Sequence, residues 1–179
     1  MTSPWNARQL FSSASVEWRT PDWVMDLVHA EFDLGLDACA SDENAQCRRY
    51  ITAQDDCLQV EWEPRSHGRA VWMNPPWGRQ VGRYVRRAHD QARRHSLIVV
   101  CLLPASTDTR WWCDYVMKAA DVRFFRGRLH FIRSDGHTGP CTKGSALVIF
   151  DSSLPGPPQF SVVSRPEKKK QNELFLKKT

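Results

Sequence analysis

Apolar and polar positions along the chain follow two periodicities, one typical of strands and one typical of helices. The longest continuous apolar run, Leu97 to Leu103, is typical of a strand that is covered on both faces of a sheet. Residues 22–32 and 80–94 instead repeat their apolar side chains at the spacing of an amphipathic helix. The tripeptide Thr20-Pro21-Asp22 predicts the start of the first helix, with threonine as the N-cap and proline at the first helical position.

The same patterns predict a regular alternation of strands and helices. Strands are expected at 32–37, 50–52, 70–73, 96–103, 122–125, 129–132 and 146–150, a helical turn at 43–48, and helices at 22–32, 80–94 and 108–119. This alternation predicts an α/β fold with a mostly parallel central sheet and helices on both faces. Ligands of such sheets bind at the carboxyl ends of the strands. The loops after Asp37, Met73 and Leu103 are therefore the candidate site loops.

Length and composition indicate one domain with a tail. The chain has 179 residues, and its breaker-rich stretch SSLPGPP at 152–158 predicts a domain 1–151 followed by a Pro/Gly-rich linker and a basic, flexible tail 152–179. No apolar run approaches the roughly 18 residues of a membrane span, and the N-terminus lacks a secretory pattern, so we expect a cytoplasmic protein. The six cysteines include no CxxC pair, which argues against structural zinc, and we predict no metal site.

Charge divides the chain into an acidic and a basic part. Residues 1–63 carry twelve acidic and four basic side chains, whereas residues 64–179 carry eight acidic and 21 basic ones. A basic surface suits a phosphate backbone, and an acidic one suits a cation. The division predicts a polyanionic partner and a second, cationic ligand; a basic tail and charges that serve only solubility are the alternative.

The tetrapeptide Asn74-Pro75-Pro76-Trp77 is the strongest local signal. Its two prolines fix φ and remove two backbone donors, and Asn74 is extended because it precedes a proline. The result is a rigid corner that offers hydrogen-bond acceptors beside an aromatic ring. Such a corner suits the amino group of a flipped-out nucleobase, which base-flipping enzymes hold between aromatic or apolar side chains. A tight loop with an exposed tryptophan is the alternative.

This corner also predicts a reaction. The exocyclic amino group of adenine or cytosine is a poor nucleophile because its lone pair is delocalised into the ring. If the Asn74 oxygen and the Pro75 carbonyl accept its hydrogens, fixed dipoles meet the positive charge that develops in the transition state. The reaction would be a single in-line displacement on an activated methyl group, with S-adenosylmethionine (SAM) as the donor.

Two acidic segments are candidates for holding that donor. Asp37 ends a predicted strand and is followed by the small residues Ala38-Cys39-Ala40, which let a ligand approach the backbone. Asp55 and Asp56 offer carboxylates for ribose hydroxyls or an adenine amino group. Each signal has a plain structural alternative, a strand that ends in an acid or an N-cap pair. We expect Cys39 to be a small packing residue rather than a nucleophile, because nothing beside it in the sequence would lower its pKa.

Over roughly residues 10–150 the sequence resembles the phage-type DNA N6-adenine methyltransferase (Dam) family. The likeness rests on residues 10–52 and, in order, on VWMNPPWGR (71–79), LLPASTDTRWW (102–112) and FRGRLHF (125–131). The resemblance implies a SAM-dependent methyltransferase fold, Rossmann-like, acting on N6 of an adenine flipped out of double-stranded DNA. It also implies that Thr20-Pro21 is a cofactor-side motif, that Asp37 to Ala40 form the methionine-binding loop, and that Asn74 to Trp77 form the catalytic motif.

The sequence departs from that family pattern in two ways. Only residues 42–73 separate Ser41 from Asn74, which is short for two strand–helix units, so we expect a sheet truncated at one edge. There is no large insertion for target recognition, which predicts a short or relaxed target site read by residues 104–110 and 127–143. The candidate DNA contacts are Arg79, Arg83, Arg87, Thr107, Arg126, Arg128 and Lys143, with a solvated surface as the alternative for any one of them.

Other activities fit the same motif. Methyltransferases that act on RNA bases or on protein glutamines also use an NPP-aromatic motif, although the basic second part of the chain argues against a protein substrate. Cytosine N4 is disfavoured because that chemistry more often places serine at the position of Asn74. A DNA-binding module of the same fold without turnover is a further alternative, against which the intact tetrapeptide speaks.

Overall fold

Strands and helices alternate along most of the chain. The computed structural model describes residues 18–133, 138–154 and 156–166. In chain order its elements are β1 (Trp18–Arg19), α1 (Asp22–Glu31), β2 (Leu34–Asp37), α2 (Glu63–Ser66), β3 (Ala70–Met73), α3 (Val81–His95), β4 (Val99–Pro104), α4 (Arg110–Asp114), a 3-10 turn (Val116–Lys118), β5 (Asp121–Phe125), β6 (His130–Arg133), β7 (Thr138–Pro140), β8 (Ser145–Phe150) and β9 (Gln159–Val163).

A central sheet holds six of these strands in the order β2-β3-β4-β8-β5-β9. The pairs β2–β3, β3–β4 and β5–β9 are parallel, whereas β8 runs antiparallel to both β4 and β5. The prediction of an α/β fold with a mostly parallel central sheet is confirmed. A small antiparallel sheet, in the order β1-β6-β7, is separate from it.

Helices cover both faces of the central sheet, as predicted. Alternate residues of β3 point to opposite faces: Val71 and Met73 pack in one core with α3, and Trp72 packs in the other with α1. Gly35 in β2 is required by close packing, because a Cβ there would lie 2.2 Å from the carbonyl oxygen of Ser66. In the ranges given above, no helix is long and apolar enough to cross a membrane.

At the edge of the central sheet next to β2, the described chain forms a single bridge instead of a further strand. The predicted strand 50–52 is reduced to one parallel bridge between Tyr50 and Asp37. The backbone N–H of Ile51 donates to the Asp37 carbonyl at 2.9 Å, and the chain then turns away. Within the described part of the chain, β2 is therefore the outermost strand on this side.

Two predictions about local structure are corrected, and one strand was missed. Thr20 does not cap α1, because the helix begins at Asp22 and its N-cap position is Pro21. The predicted helix 108–119 is shorter, since it breaks at Tyr115 into α4 and the 3-10 turn. Strand β9 was not predicted, and it pairs with β5 beyond the domain boundary placed at residue 151. The division into domain and tail stays a prediction, and most of the tail lies outside the described residues.

Candidate active site

The carboxyl ends of the parallel strands bring the candidate site residues to one edge of the central sheet. Asp37 ends β2, Asn74 follows β3, and Ala105 follows β4. A narrow cavity of about 30 Å³ lies between the first two loops and the chain before α1. Its lining residues are Arg19, Thr20, Asp37, Cys39, Asn44, Gln46, Trp72 and Asn74. Three residues that the sequence marked separately, Thr20, Asp37 and Asn74, therefore share one cavity.

The Asp37 carboxylate forms the acidic part of this cavity. Its side chain is buried, and its two oxygens accept hydrogen bonds from the backbone N–H groups of Cys39 (3.1 Å) and Gln46 (3.0 Å). Burial raises the pKa of Asp37 from 3.8 to about 6, because the two N–H donors offset only part of the lost hydration. A carboxylate in this position favours a cationic ligand, which would restore the electrostatic stabilisation that water supplied.

The proline corner places Asn74 at the mouth of the same cavity. Asn74 is half-buried, and its amide nitrogen donates a hydrogen bond to the Thr20 hydroxyl at 3.2 Å. This bond orients the amide so that its oxygen is not the atom that faces Thr20. Pro75 is buried and Pro76 is exposed, so the corner is anchored on one side and open to solvent on the other.

Trp77 is held beside this corner by the small sheet. Its indole N–H donates to the Leu102 carbonyl at 3.3 Å, and its ring meets the edge of Phe131 in β6, with centroids 5.5 Å apart. The ring is half-buried, so part of it remains accessible. The sheet formed by β1, β6 and β7 thus supports the aromatic member of the motif.

The small residues after Asp37 let the loop fold tightly. Ala38 is fully buried, and its backbone N–H donates to the Trp72 carbonyl at 2.8 Å, while Ala40 is half-buried. The Cys39 sulfur lies 3.4 Å from the sulfur of Cys57. Contact with Cys57, together with burial, raises the pKa of the Cys39 thiol well above its ordinary value. The high pKa disfavours the thiolate form that a nucleophile needs.

Asp55 and Asp56 lie outside the lining of the cavity. The exposed Asp55 carboxylate accepts hydrogen bonds from the backbone N–H and the hydroxyl of Thr52, and these bonds lower its pKa. Asp56 has a left-handed φ of 55°, and its carboxylate accepts the backbone N–H of Leu58 at 3.0 Å. Both carboxylates thus stabilise local turns. Pro21, the remaining candidate on the cofactor side, is buried beside Thr20 and does not line the cavity.

A polar clamp, formed by Glu61 with Arg87, Gln91, Arg94 and His95, fastens the loop before α2 to α3. Glu61 accepts hydrogen bonds from Gln91 (2.7 Å), His95 (2.8 Å), Arg87 (3.2 Å) and Arg94 (3.4 Å). These donors, Gln91 first, lower the pKa of Glu61 to about 2. Arg87 also donates to the Val60 carbonyl at 2.6 Å. One of the candidate DNA contacts, Arg87, is therefore part of this clamp.

The other candidate DNA contacts are exposed. Arg79 and Arg83 flank the start of α3, where Arg83 donates to Gln80 at 2.7 Å. Thr107, Arg126, Arg128 and Lys143 lie on loops at the site edge of the sheet. The first stretch predicted to read the target, 104–110, contacts the residue directly after the second, 127–143, because the backbone N–H of Ala105 donates to the Gly144 carbonyl at 2.9 Å.

Four lining residues were not among the predicted site residues: Arg19, Asn44, Gln46 and Trp72. Gln46 contributes its backbone N–H to the Asp37 carboxylate. Any residue could supply this group, so the identity of the side chain could not have marked the position as part of the site. Asn44 caps a turn by accepting the backbone N–H of Ser41 at 2.8 Å. Arg19 directly precedes the Thr20-Pro21 pair, and that adjacency is the one sequence signal that could have marked it.

Comparison with known proteins identifies the family of the chain. The family model described as "DNA N-6-adenine-methyltransferase (Dam)" matches residues 9–174. The DNA N-6-adenine-methyltransferase of Haemophilus phage HP1 (strain HP1c1) is 31% identical over 163 residues, which cover 88% of this chain and 91% of that protein. The DNA N-6-adenine-methyltransferase of Escherichia phage T1 is 30% identical over 151 residues, which cover 74% of this chain and 60% of that protein. The chain therefore belongs to the DNA N-6-adenine-methyltransferase (Dam) family.

Proposed function

We propose that this chain transfers a methyl group from SAM to N6 of an adenine in DNA, with the corner Asn74-Pro75 accepting hydrogen bonds from the adenine amino group. The observation that carries the proposal is the shared cavity of Asp37 and Asn74, in a chain of this family. That cavity gives a cationic donor and an amino-group acceptor adjacent places at the carboxyl edge of the sheet. The fold, in this proposal, is a Rossmann-like methyltransferase sheet truncated beside β2.

The residues present fit the charge of the proposed cofactor. When bound, SAM supplies an electrophilic methyl group on a sulfonium. Asp37 is the only carboxylate among the described lining residues of the cavity, and its two hydrogen-bond donors are backbone N–H groups rather than cations. The carboxylate would attract the positive end of the donor, while Ala38 and Cys39 keep the loop narrow. Asp55 and Asp56 stay candidates for the ribose or adenine of the cofactor.

Asn74 would prepare the amino group for attack. Its amide nitrogen is bound to Thr20, so the carbonyl oxygen of the amide is the group left for the substrate. If this oxygen and the Pro75 carbonyl accept the two N6 hydrogens, they favour a pyramidal nitrogen and return electron density to it. These dipoles are fixed before the reaction begins, because prolines and the Thr20 bond restrict their motion. No titratable base is required for this step.

The exposed side of the corner would receive the base. Pro76 and the accessible part of Trp77 offer apolar and aromatic surface against which a flipped purine can stack. The edge contact with Phe131 fixes the Trp77 ring in place, which lowers the entropy that stacking would cost. Base flipping thus follows in the proposal from the position of the corner at the surface.

Exposed cationic residues would hold the DNA around the flipped base. Arg79, Arg83, Arg126, Arg128 and Lys143 are suited to phosphates of double-stranded DNA. The loops that meet at Ala105 and Gly144, the first of which carries Thr107, offer little surface for reading a DNA sequence. Their small size supports a short or relaxed target site. We assign Arg87 to the clamp rather than to DNA, because its guanidinium already donates to Val60 and Glu61.

The test is to identify the methylated nucleoside. The protein is incubated with labelled SAM and either unmethylated DNA or RNA, and the products are digested and analysed by mass spectrometry. We expect N6-methyl-2′-deoxyadenosine from DNA. Its initial rate of formation should be lower by a factor of about 10² to 10³ with Asn74→Ala and unchanged with the control Gln54→Ala, an exposed amide away from the cavity. Label only in RNA or in protein would contradict the proposal, as would intact DNA binding without any transfer.

A further inference from the structure

One charged lining residue of the cavity, Arg19, has no role in the proposed mechanism. Among the described lining residues, Arg19 is the cationic one and Asp37 is the anionic one. With the Arg19 guanidinium turned towards it, the cavity would carry one charge of each sign, which matches a ligand group that carries both signs. The amino-acid end of SAM is such a group, with an α-ammonium and an α-carboxylate on the same carbon.

The backbone of Arg19 is fixed next to the catalytic corner. Arg19 is part of β1 and pairs with Ile132 of β6. The next residue, Thr20, is buried and accepts the hydrogen bond from Asn74. The position from which the Arg19 side chain starts is therefore set by the same contacts that orient Asn74.

Within the described ranges of the chain, a surface ion pair is the contact that holds the side chain of Arg19. Its guanidinium lies 3.7 Å from the Asp22 carboxylate, and the side chains of Arg19 and Asp22 are 48% and 78% exposed. Water screens such a pair strongly, so little is lost when the guanidinium exchanges Asp22 for a ligand carboxylate. A guanidinium also offers two parallel N–H donors that match the two oxygens of a carboxylate.

We propose that Arg19 binds the α-carboxylate of SAM while Asp37 faces its α-ammonium. This inference rests on the proposed use of SAM and goes beyond it by naming the residue that recognises the acid group. The small volume of the cavity, about 30 Å³, suits the amino-acid end of the cofactor rather than the whole molecule. The chain thereby distinguishes SAM from analogues that lack the carboxylate.

The experiment compares two ligands that differ in that group. Titration calorimetry without DNA measures the affinity of wild type and of Arg19→Gln for SAM and for decarboxylated SAM, both of which carry the sulfonium. We expect wild type to bind SAM at least about tenfold more tightly than the decarboxylated compound, as a charge-assisted hydrogen bond implies. In Arg19→Gln the preference disappears, because only the affinity for SAM falls. Arg19→Lys keeps part of the preference, since it keeps the charge.

Two controls separate recognition from structure. Arg93→Gln removes an exposed arginine near the end of α3 and leaves both affinities unchanged. Asp22→Ala removes the ion pair but keeps Arg19, so SAM binds as tightly as in wild type or more tightly. Thermal melting of every variant checks that the fold is retained.

The outcomes distinguish this inference from the proposed function. A wild-type protein that binds neither compound overturns the use of SAM and this inference together. A wild-type protein that binds SAM, with an Arg19→Gln variant that retains the preference for it, overturns only the role of Arg19. Equal losses of affinity for both compounds in Arg19→Gln also overturn it, because the residue would then act through the structure of the loop.

Discussion

Two carboxylates at opposite ends of the connection between β2 and α2 have opposite surroundings. Asp37 is buried, its donors among the described residues are two backbone N–H groups, and its pKa is raised to about 6. Glu61 accepts hydrogen bonds from four side chains of α3, and its pKa is lowered to about 2. The charge of Glu61 is compensated by side chains of the protein, whereas in the proposed function a cationic ligand compensates that of Asp37.

This difference separates a structural carboxylate from a binding one. Glu61 fastens a loop to a helix, so its removal should affect stability and leave ligand affinity alone. Asp37 faces a cavity beside the proline corner, so its removal should affect cofactor affinity. Sequence position alone does not distinguish them, because both are acidic residues in the acidic part of the chain.

The largest expected effect on SAM binding comes from removing the charge of Asp37. Asp37→Asn should weaken SAM binding about 100-fold, because a cationic ligand loses a hydrogen-bonded ionic partner in a buried site. Titration calorimetry measures the affinity. Asp33→Asn, just before the start of the same strand, is the matched control, since Asp33 is exposed and pairs with Arg69. Similar affinities for Asp37→Asn and wild type would remove the distinction between the two carboxylates.

The pH dependence of SAM affinity should show the titration of Asp37. Below its pKa of about 6 the carboxyl is protonated and neutral, so affinity should fall about tenfold per pH unit. Above that value affinity should be flat, and in Asp37→Asn it should be flat throughout. In the absence of SAM, the same titration has the opposite effect on stability. The free energy of unfolding decreases as pH rises from about 4 to 6, because the folded state holds a proton on Asp37 that the unfolded state has released. A wild-type affinity profile without an inflection near pH 6 would contradict this assignment.

Glu61→Gln should change stability without changing binding. Neutralising Glu61 weakens the charge-assisted bonds of the clamp to Arg87 and Arg94. The free energy of unfolding should fall by about 1–2 kcal/mol, a modest value because the Glu61 side chain is 42% exposed. Urea denaturation gives the measurement, and Glu63→Gln, exposed in α2, should be neutral. A loss of SAM affinity at unchanged stability would place Glu61 in the site instead.

The smallest expected effect concerns the contact that orients Asn74. Thr20→Val removes the hydroxyl that accepts the Asn74 amide proton and should slow single-turnover methyl transfer about five- to tenfold. Thr20→Ser, which keeps the hydroxyl, should retain most of the rate. Equal rates for the valine and serine variants would show that this bond does not prepare the corner.

The parts of the fold that were predicted from sequence depend on local patterns. Strand β3 runs from Ala70 to Met73 as predicted, because a short apolar run ends at prolines. Helix α3 starts and ends within one residue of its predicted bounds, because its apolar face repeats over four turns. Strand β9 was missed, since its exposed Phe160 and Val162 give it no pattern of a buried strand.

The parts of the site that were not predicted depend on contacts between distant segments. Thr20 follows the local rules for an N-cap, yet its hydroxyl bonds Asn74, which is 54 residues away. Arg19 lines the cavity only because β1 pairs with β6. Arg87 fits a row of exposed arginines by helical spacing, but the loop that carries Glu61 covers it. Spacing along one helix does not reveal what another segment places against it.

The most direct test of the central role of Asn74 is the single-turnover rate of methyl transfer at saturating SAM and DNA, measured for wild type and Asn74→Ala. We predict that the rate of the variant is lower by a factor of about 10² to 10³, as expected when a preorganised acceptor is lost. Its affinity for SAM should stay within about threefold of wild type, because Asp37 is intact. A rate within about tenfold of wild type, or a loss explained entirely by weaker SAM binding, would contradict the account.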